Sequence, residues 1–154
     1  MTLLCFLDHY LRLKAKSDWR KKPLTFGKMK LGYVENYGAF KGLMKNHPKK
    51  LLKYQFIFVV CSLLYTTYVI AARKKSLIQI GWLLASLGGL NNLWERALKG
   101  YVTDYVSLNG KLYFNIADIF VFAGASMVFL GQVFDLASKP KTDIAITVKE
   151  KENE

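Results

Sequence analysis

The sequence predicts a mostly α-helical integral membrane protein, a bundle of three full transmembrane helices with a short or partial N-terminal helix and a small β element. Three observations carry that expectation. Of the 154 residues, 52% are apolar and 14% aromatic, within a length that suits one domain. The apolar residues collect into blocks. Tyr54 to Ala72 and Leu77 to Leu93 hold no charge, and Leu112 to Ala137 is broken by Asn115, Asp118, Gln132 and Asp135. Crossing a bilayer takes about 20 apolar residues at about 1.5 Å of rise each. Finally, Leu24 to Val34 partly alternates apolar and polar residues, the pattern of a half-exposed strand.

Taken in order, the first piece (Met1 to Leu7) is apolar, but Asp8 ends it after about 10 Å of helix. That length neither spans a bilayer nor, without a basic start and a small-residue cleavage site, makes a secretory signal. A partial helix over about 1–13 is expected, or a start upstream of Met1. A basic stretch from Lys14 to Lys53 follows, containing the alternating segment and a glycine turn at Asn36-Tyr37-Gly38-Ala39-Phe40. Helices are expected over 54–72, 76–98 and 112–137. Arg73-Lys74-Lys75 forms a tight loop between the first two, and Lys99 to Lys111 a longer loop before the last. The membrane-embedded domain is therefore 1–137, and 138–154 is a polar tail.

The net charge of +12 invites a nucleic-acid reading, but no nucleic-acid motif accompanies it, and basic residues of a membrane protein sit against anionic headgroups. Membrane lipid is the expected partner, not nucleic acid. Cys5 and Cys61 lack a CxxC or Cys/His spacing, and His9 and His47 stand alone, so neither a disulfide framework nor a metal is indicated.

The polar residues between the last two apolar blocks look like a site. Carboxylates cost about 2.5–3.5 kcal/mol at mid-bilayer and less toward the surface, so they persist where something uses them. Antiparallel helices joined by one loop place Asn92, Arg96, Asp104, Asn115 and Asp118 at the same side of the membrane. Asn92 and Arg96 share a helix face at i, i+4; Asn115 and Asp118 share one at i, i+3. Trp94, Tyr101, Tyr105 and Tyr113 lie at the same level, as in an interfacial aromatic belt. Two carboxyls held close share a proton. The ionised one can take a proton from water while the protonated one polarises a carbonyl, which hydrolyses an amide without a metal or a nucleophilic side chain.

Each residue also has a plainer reading by itself. Asp104 would be a solvated loop residue, Arg96 a snorkelling cation, Asn36 a turn residue, and Asp8 with Arg12 a helix-end ion pair. Gly88-Gly89 would allow close helix packing, and Asp135 would be solvated at the interface.

Together, however, the blocks resemble the signal peptidase II family of bacterial lipoprotein signal peptidases. The family's Gly-Asn-Leu-x-Asp-Arg block is similar to Asn91-Asn92-Leu93-Trp94-Glu95-Arg96, with Glu95 in place of aspartate and Asn91 in place of glycine. Its Gly-x-Val-x-Asp-Phe block resembles Gly100-Tyr101-Val102-Thr103-Asp104-Tyr105, and its Phe-Asn-x-Ala-Asp block resembles Phe114-Asn115-Ile116-Ala117-Asp118. Its Asn-x-Gly-Ala-Phe turn resembles Asn36 to Phe40. The end of its first helix, Asp-Gln-x-Ser/Thr-Lys, resembles Asp8-His9-Tyr10-Leu11-Arg12.

The resemblance implies an aspartic endopeptidase with Asp104 and Asp118 as the catalytic dyad. Asn36, Asn92, Arg96 and Asn115 would shape the pocket and bind substrate, and no cofactor or metal would be needed. It further implies a monomer in the bacterial cytoplasmic membrane, cutting diacylglyceryl-modified prolipoproteins just before the lipidated cysteine. The β element and site would be extracytoplasmic and the tail cytoplasmic. Charge alone leaves orientation open, since the 12 Lys/Arg between Lys14 and Lys53 lean toward the opposite arrangement. Two other readings are a catalytically silent relative that binds lipidated peptides and a basic scaffold on anionic lipid.

Overall fold

The computed structural model of the protein describes residues 3–138. From residue 139 onward, the expected polar tail lies outside them. Four α-helices, α1 (Leu3–Lys14), α2 (Pro48–Ala71), α3 (Ser76–Lys99) and α4 (Ile116–Ala137), combine with four strands, β1 (Leu24–Phe26), β2 (Met29–Asn36), β3 (Val102–Ser107) and β4 (Tyr113–Phe114). Among the described residues, α2 and α4 are long and apolar enough to cross a membrane. Helix α3 is as long as α2, 24 residues, but its last turns carry Asn91, Asn92, Glu95 and Arg96.

Three boundaries differ from the sequence expectation. Helix α2 begins at Pro48 rather than 54, because proline suits the first helical turn and the basic residues there extend the helix beyond its apolar run. Helix α4 begins at Ile116 rather than 112, because Asn115 is extended (φ −126°, ψ 176°) and its side chain caps the helix. Asp118 therefore lies in the first turn of α4, not deeper. The partial N-terminal helix is present as α1, prolonged by a π-helical turn, Ala15–Trp19.

The segment expected to be one strand is a hairpin, β1 and β2, and the expected loop at 99–111 contains β3. All four strands form one antiparallel sheet in the order β1-β2-β3-β4. Val34 faces Asp104 and Asn36 faces Val102, with an irregularity between Leu31 and Val34. The turn into β3 runs through Gly100, whose φ of +81° is costly for any residue with a Cβ; its N–H bonds Arg96 O at 2.8 Å and closes α3.

Helix α3 lies between α2 and α4. Gly88 sets the α3–α4 distance: a Cβ there would run into the Ala117 carbonyl and stand 3.0 Å from Phe120 and Val121 of α4. On the α2 side, Thr66, Ser62 and Ser86 link their hydroxyls at 3.0 and 3.2 Å. At the far end Lys75 pairs with Asp135 at 3.1 Å, both partly exposed. At the sheet end, Ala15, Trp19 and Tyr105 form a compact core with Leu11, Leu31, Tyr33, Val106 and Ile116, the Trp19 and Tyr105 rings 6.2 Å apart. That core fastens α1 to β3, and β3 carries Asp104.

Candidate active site

The site forms where β3, the C-terminal end of α3 and the first turn of α4 converge. Asp104 needs β3 to hold it, and β3 needs β2: the Asn36 side chain, at the end of β2, donates to Asp104 Oδ2 at 2.9 Å. The same side chain accepts from the Gly38 N–H at 3.0 Å, which fixes the turn that follows. Asn115, fully buried, donates to Asp104 Oδ1 at 2.8 Å.

Asn115 also organises Asp118. Its side-chain oxygen accepts from Asp118 N at 2.9 Å, and its backbone N–H donates to Asp118 Oδ2 at 3.2 Å, a reciprocal capping box. Asn92 donates to Asp118 Oδ1 at 2.8 Å. One asparagine thus brackets both carboxylates. Asp104 is 2% exposed, whereas Asp118 is only partly buried. Burial, then the neighbouring charge of Asp118, pushes the Asp104 carboxyl up from 3.8 to about 7. The donors from Asn36 and Asn115 oppose that displacement without cancelling it.

Arg96 touches neither carboxylate. It donates to Gly38 O at 2.6 Å and to Gln55 Oε1, tying the turn after β2 to α2 and α3. All six residues expected from the sequence are therefore brought together: Asp104 and Asp118, the three asparagines bonded to them, and Arg96 on the turn beside them.

Comparison with known proteins shows the family and the fold. A family model described as signal peptidase (SPase) II matches residues 1–134. The chain belongs to the signal peptidase II family. Among curated family members, the lipoprotein signal peptidase of Clostridioides difficile (strain 630) is 37% identical over 114 residues, covering 70% of this chain and 71% of its own length. That of Caldanaerobacter subterraneus subsp. tengcongensis is 29% identical over 138 residues, covering 87% and 93%. A bacterial membrane enzyme determined by the in meso method at 2.3 Å resolution shares the fold, with a TM-score of 0.76 at 19% identity, covering 89% of this chain and 87% of that one.

Sequence reading missed how far the support of this candidate site extends. Asp8 by itself suggests half of a helix-end ion pair, yet it is 1% exposed and accepts four donors: Arg12 Nε at 2.6 Å, Asn91 Nδ2 at 2.6 Å, Tyr105 OH at 2.7 Å and Ile116 N at 3.0 Å. Arg12 goes on to donate to Asn92 Oδ1 at 2.8 Å. One signal was available, an acid and a base four residues apart in an apolar helix; their partners, 80 to 108 residues away, gave none.

At the rim, Tyr33 and Tyr37 donate to Glu35 at 2.9 and 2.7 Å and hold its carboxyl below the usual range. Tyr33 also meets Tyr101 at 3.1 Å, and the Arg20 guanidinium lies 5.1 Å above the Tyr33 ring.

Proposed function

We propose that the chain is an aspartic endopeptidase that removes the signal peptide from diacylglyceryl-modified prolipoproteins at the bond before the lipidated cysteine. The observation that carries this is the bracketing of Asp104 and Asp118 by Asn115, which keeps two acids side by side on neutral donors. Proton sharing follows from their proximity. The ionised carboxyl takes a proton from the attacking water, and the protonated one donates to the scissile carbonyl oxygen. The tetrahedral intermediate collapses as a proton passes to the leaving nitrogen, and the dyad returns to its starting charge.

Asn36, Asn92 and Asn115 each donate one side-chain N–H to the dyad, so part of their role is to orient the carboxyls. Arg96, through Gly38, shapes the turn that would border the substrate. In this reading α2, α3 and α4 all cross the cytoplasmic membrane of a bacterium, the sheet and dyad lie on the extracytoplasmic side, and the chain works as a monomer with no cofactor. The basic residues of 14–53 would then rest on anionic lipid.

The test is cleavage of a synthetic diacylglyceryl-cysteine prolipoprotein peptide by the purified chain, Asp104→Asn and Asp118→Asn. Turnover by the wild type alone supports the dyad. Equal turnover by all three ends the assignment, and none by any favours a silent relative that only binds lipidated peptide.

A further inference from the structure

Glu95 is a buried charge on α3 to which the proposed function gives no part, and its contacts reach the supports of both aspartates. It is 5% exposed. Its Oε1 accepts from Lys99 Nζ at 2.6 Å and from Thr103 Oγ1 at 2.8 Å; its Oε2 accepts from the Thr103 backbone N–H at 2.9 Å and pairs with Arg12. Thr103 immediately precedes Asp104. Arg12 donates to Asn92, which donates to Asp118.

We infer that Glu95 is a positioning residue for the dyad: one carboxylate sets the start of β3 that aims Asp104 and anchors the Arg12–Asn92 relay that aims Asp118. The inference rests on the catalytic reading of those aspartates. Glu95 touches neither of them, so its effect passes through backbone register on one side and through two side chains on the other. Geometry of this kind matters because a displacement of about 1 Å at reacting groups can cost on the order of 10²-fold in rate.

Removing the charge exposes the dependence. In Glu95→Gln, the amide has one acceptor oxygen where the carboxylate has two, so one of its two sets of donors meets an N–H₂ instead. Glu95→Asp keeps the charge and both acceptors on a stem one methylene shorter. The experiment measures kcat and KM on the diacylglyceryl-cysteine peptide for wild type, Glu95→Gln, Glu95→Asp and Asp104→Asn, each normalised to folded protein by its unfolding transition in detergent. The expected result is a kcat lower by about tenfold or more in Glu95→Gln at nearly unchanged KM, with Glu95→Asp recovering most of it.

A Glu95→Gln enzyme whose kcat per folded molecule equals wild type overturns the inference while leaving the dyad standing. So does one whose loss lies wholly in KM, or one that Glu95→Asp does not improve. An inactive wild type, or an Asp104→Asn variant as active as wild type, removes the catalytic reading beneath it.

Discussion

Replacing Asp104 by asparagine should stabilise the protein at pH 8 and destabilise it at pH 4. Its carboxyl lies at about 7 in the folded chain against 3.8 in an ordinary environment, through burial first and the charge of Asp118 second. At 1.36 kcal/mol for each pH unit, the displacement corresponds to roughly 4 kcal/mol. Between 3.8 and about 7 the folded chain holds a proton on Asp104 that the unfolded chain releases, so stability falls as pH rises through that window. Above about 7 both states are ionised and the whole penalty is present; below 3.8 both are protonated and it is gone.

Asparagine does not ionise, so the variant escapes that penalty. It meets a different one that does not depend on pH. Asn36 and Asn115 both donate to Asp104, and a carboxamide accepts with one oxygen only, leaving one buried donor unmatched at about 1–3 kcal/mol. The expected difference is therefore a gain of roughly 1–3 kcal/mol at pH 8 and a loss of similar size at pH 4, with a crossing between. Thermal unfolding in detergent, followed by tryptophan fluorescence across that range, reads it. Because the charge of Asp118 contributes to that displacement, the slope reports Asp104 in the presence of its neighbour. A difference that stays constant with pH would mean that Asp104 is not displaced, and the proton-sharing argument would lose its basis.

Two further outcomes follow from the same contacts. Asn115→Ala removes the cap of α4 and a donor to Asp104, and should cost about 1–3 kcal/mol in the unfolding transition together with about tenfold or more in kcat. Orientation can be read with single cysteines in a chain whose Cys5 and Cys61 are replaced by alanine. Leu108→Cys, at a position 61% exposed just after β3, should react with a membrane-impermeant maleimide in intact cells while Lys74→Cys does not, and the reverse pattern would place the dyad in the cytoplasm.

The helices and the candidate dyad were legible in the sequence because their signals are local. Uncharged runs mark α2 and most of α3, and Asn115 with Asp118 at i, i+3 is both a site pattern and a helix cap. The sheet was only partly legible. Strand β3 reads as a loop because it is short and carries Thr103, Asp104 and Ser107, and it becomes a strand by pairing with β2, where Asn36 and Asp104 lie 68 residues apart. Glu95 read as a minor departure from the family pattern, since nothing along the chain announces that Arg12 and Thr103 converge on it.

The distribution of charge around the dyad explains why the support is so extensive. An arginine bonded directly to Asp104 would lower its carboxyl by about 1–3 pH units and leave no proton to share near neutrality. The structure instead gives Asp104 and Asp118 asparagine donors, which orient a carboxyl without adding a full charge. The guanidinium of Arg12 is still close enough to fix Asn92, but Asp8 and Glu95 flank it and balance its charge. Arg96 is likewise turned to Gly38 and Gln55. Asp8 and Glu95 thus do two things together: they make the buried Arg12 tolerable, and they keep its charge from holding the candidate dyad fully ionised. Removing either acid would leave the charge of Arg12 less balanced, and that charge already acts to lower the Asp104 carboxyl, so the acids outside the candidate dyad bear on the protonation of the acids within it.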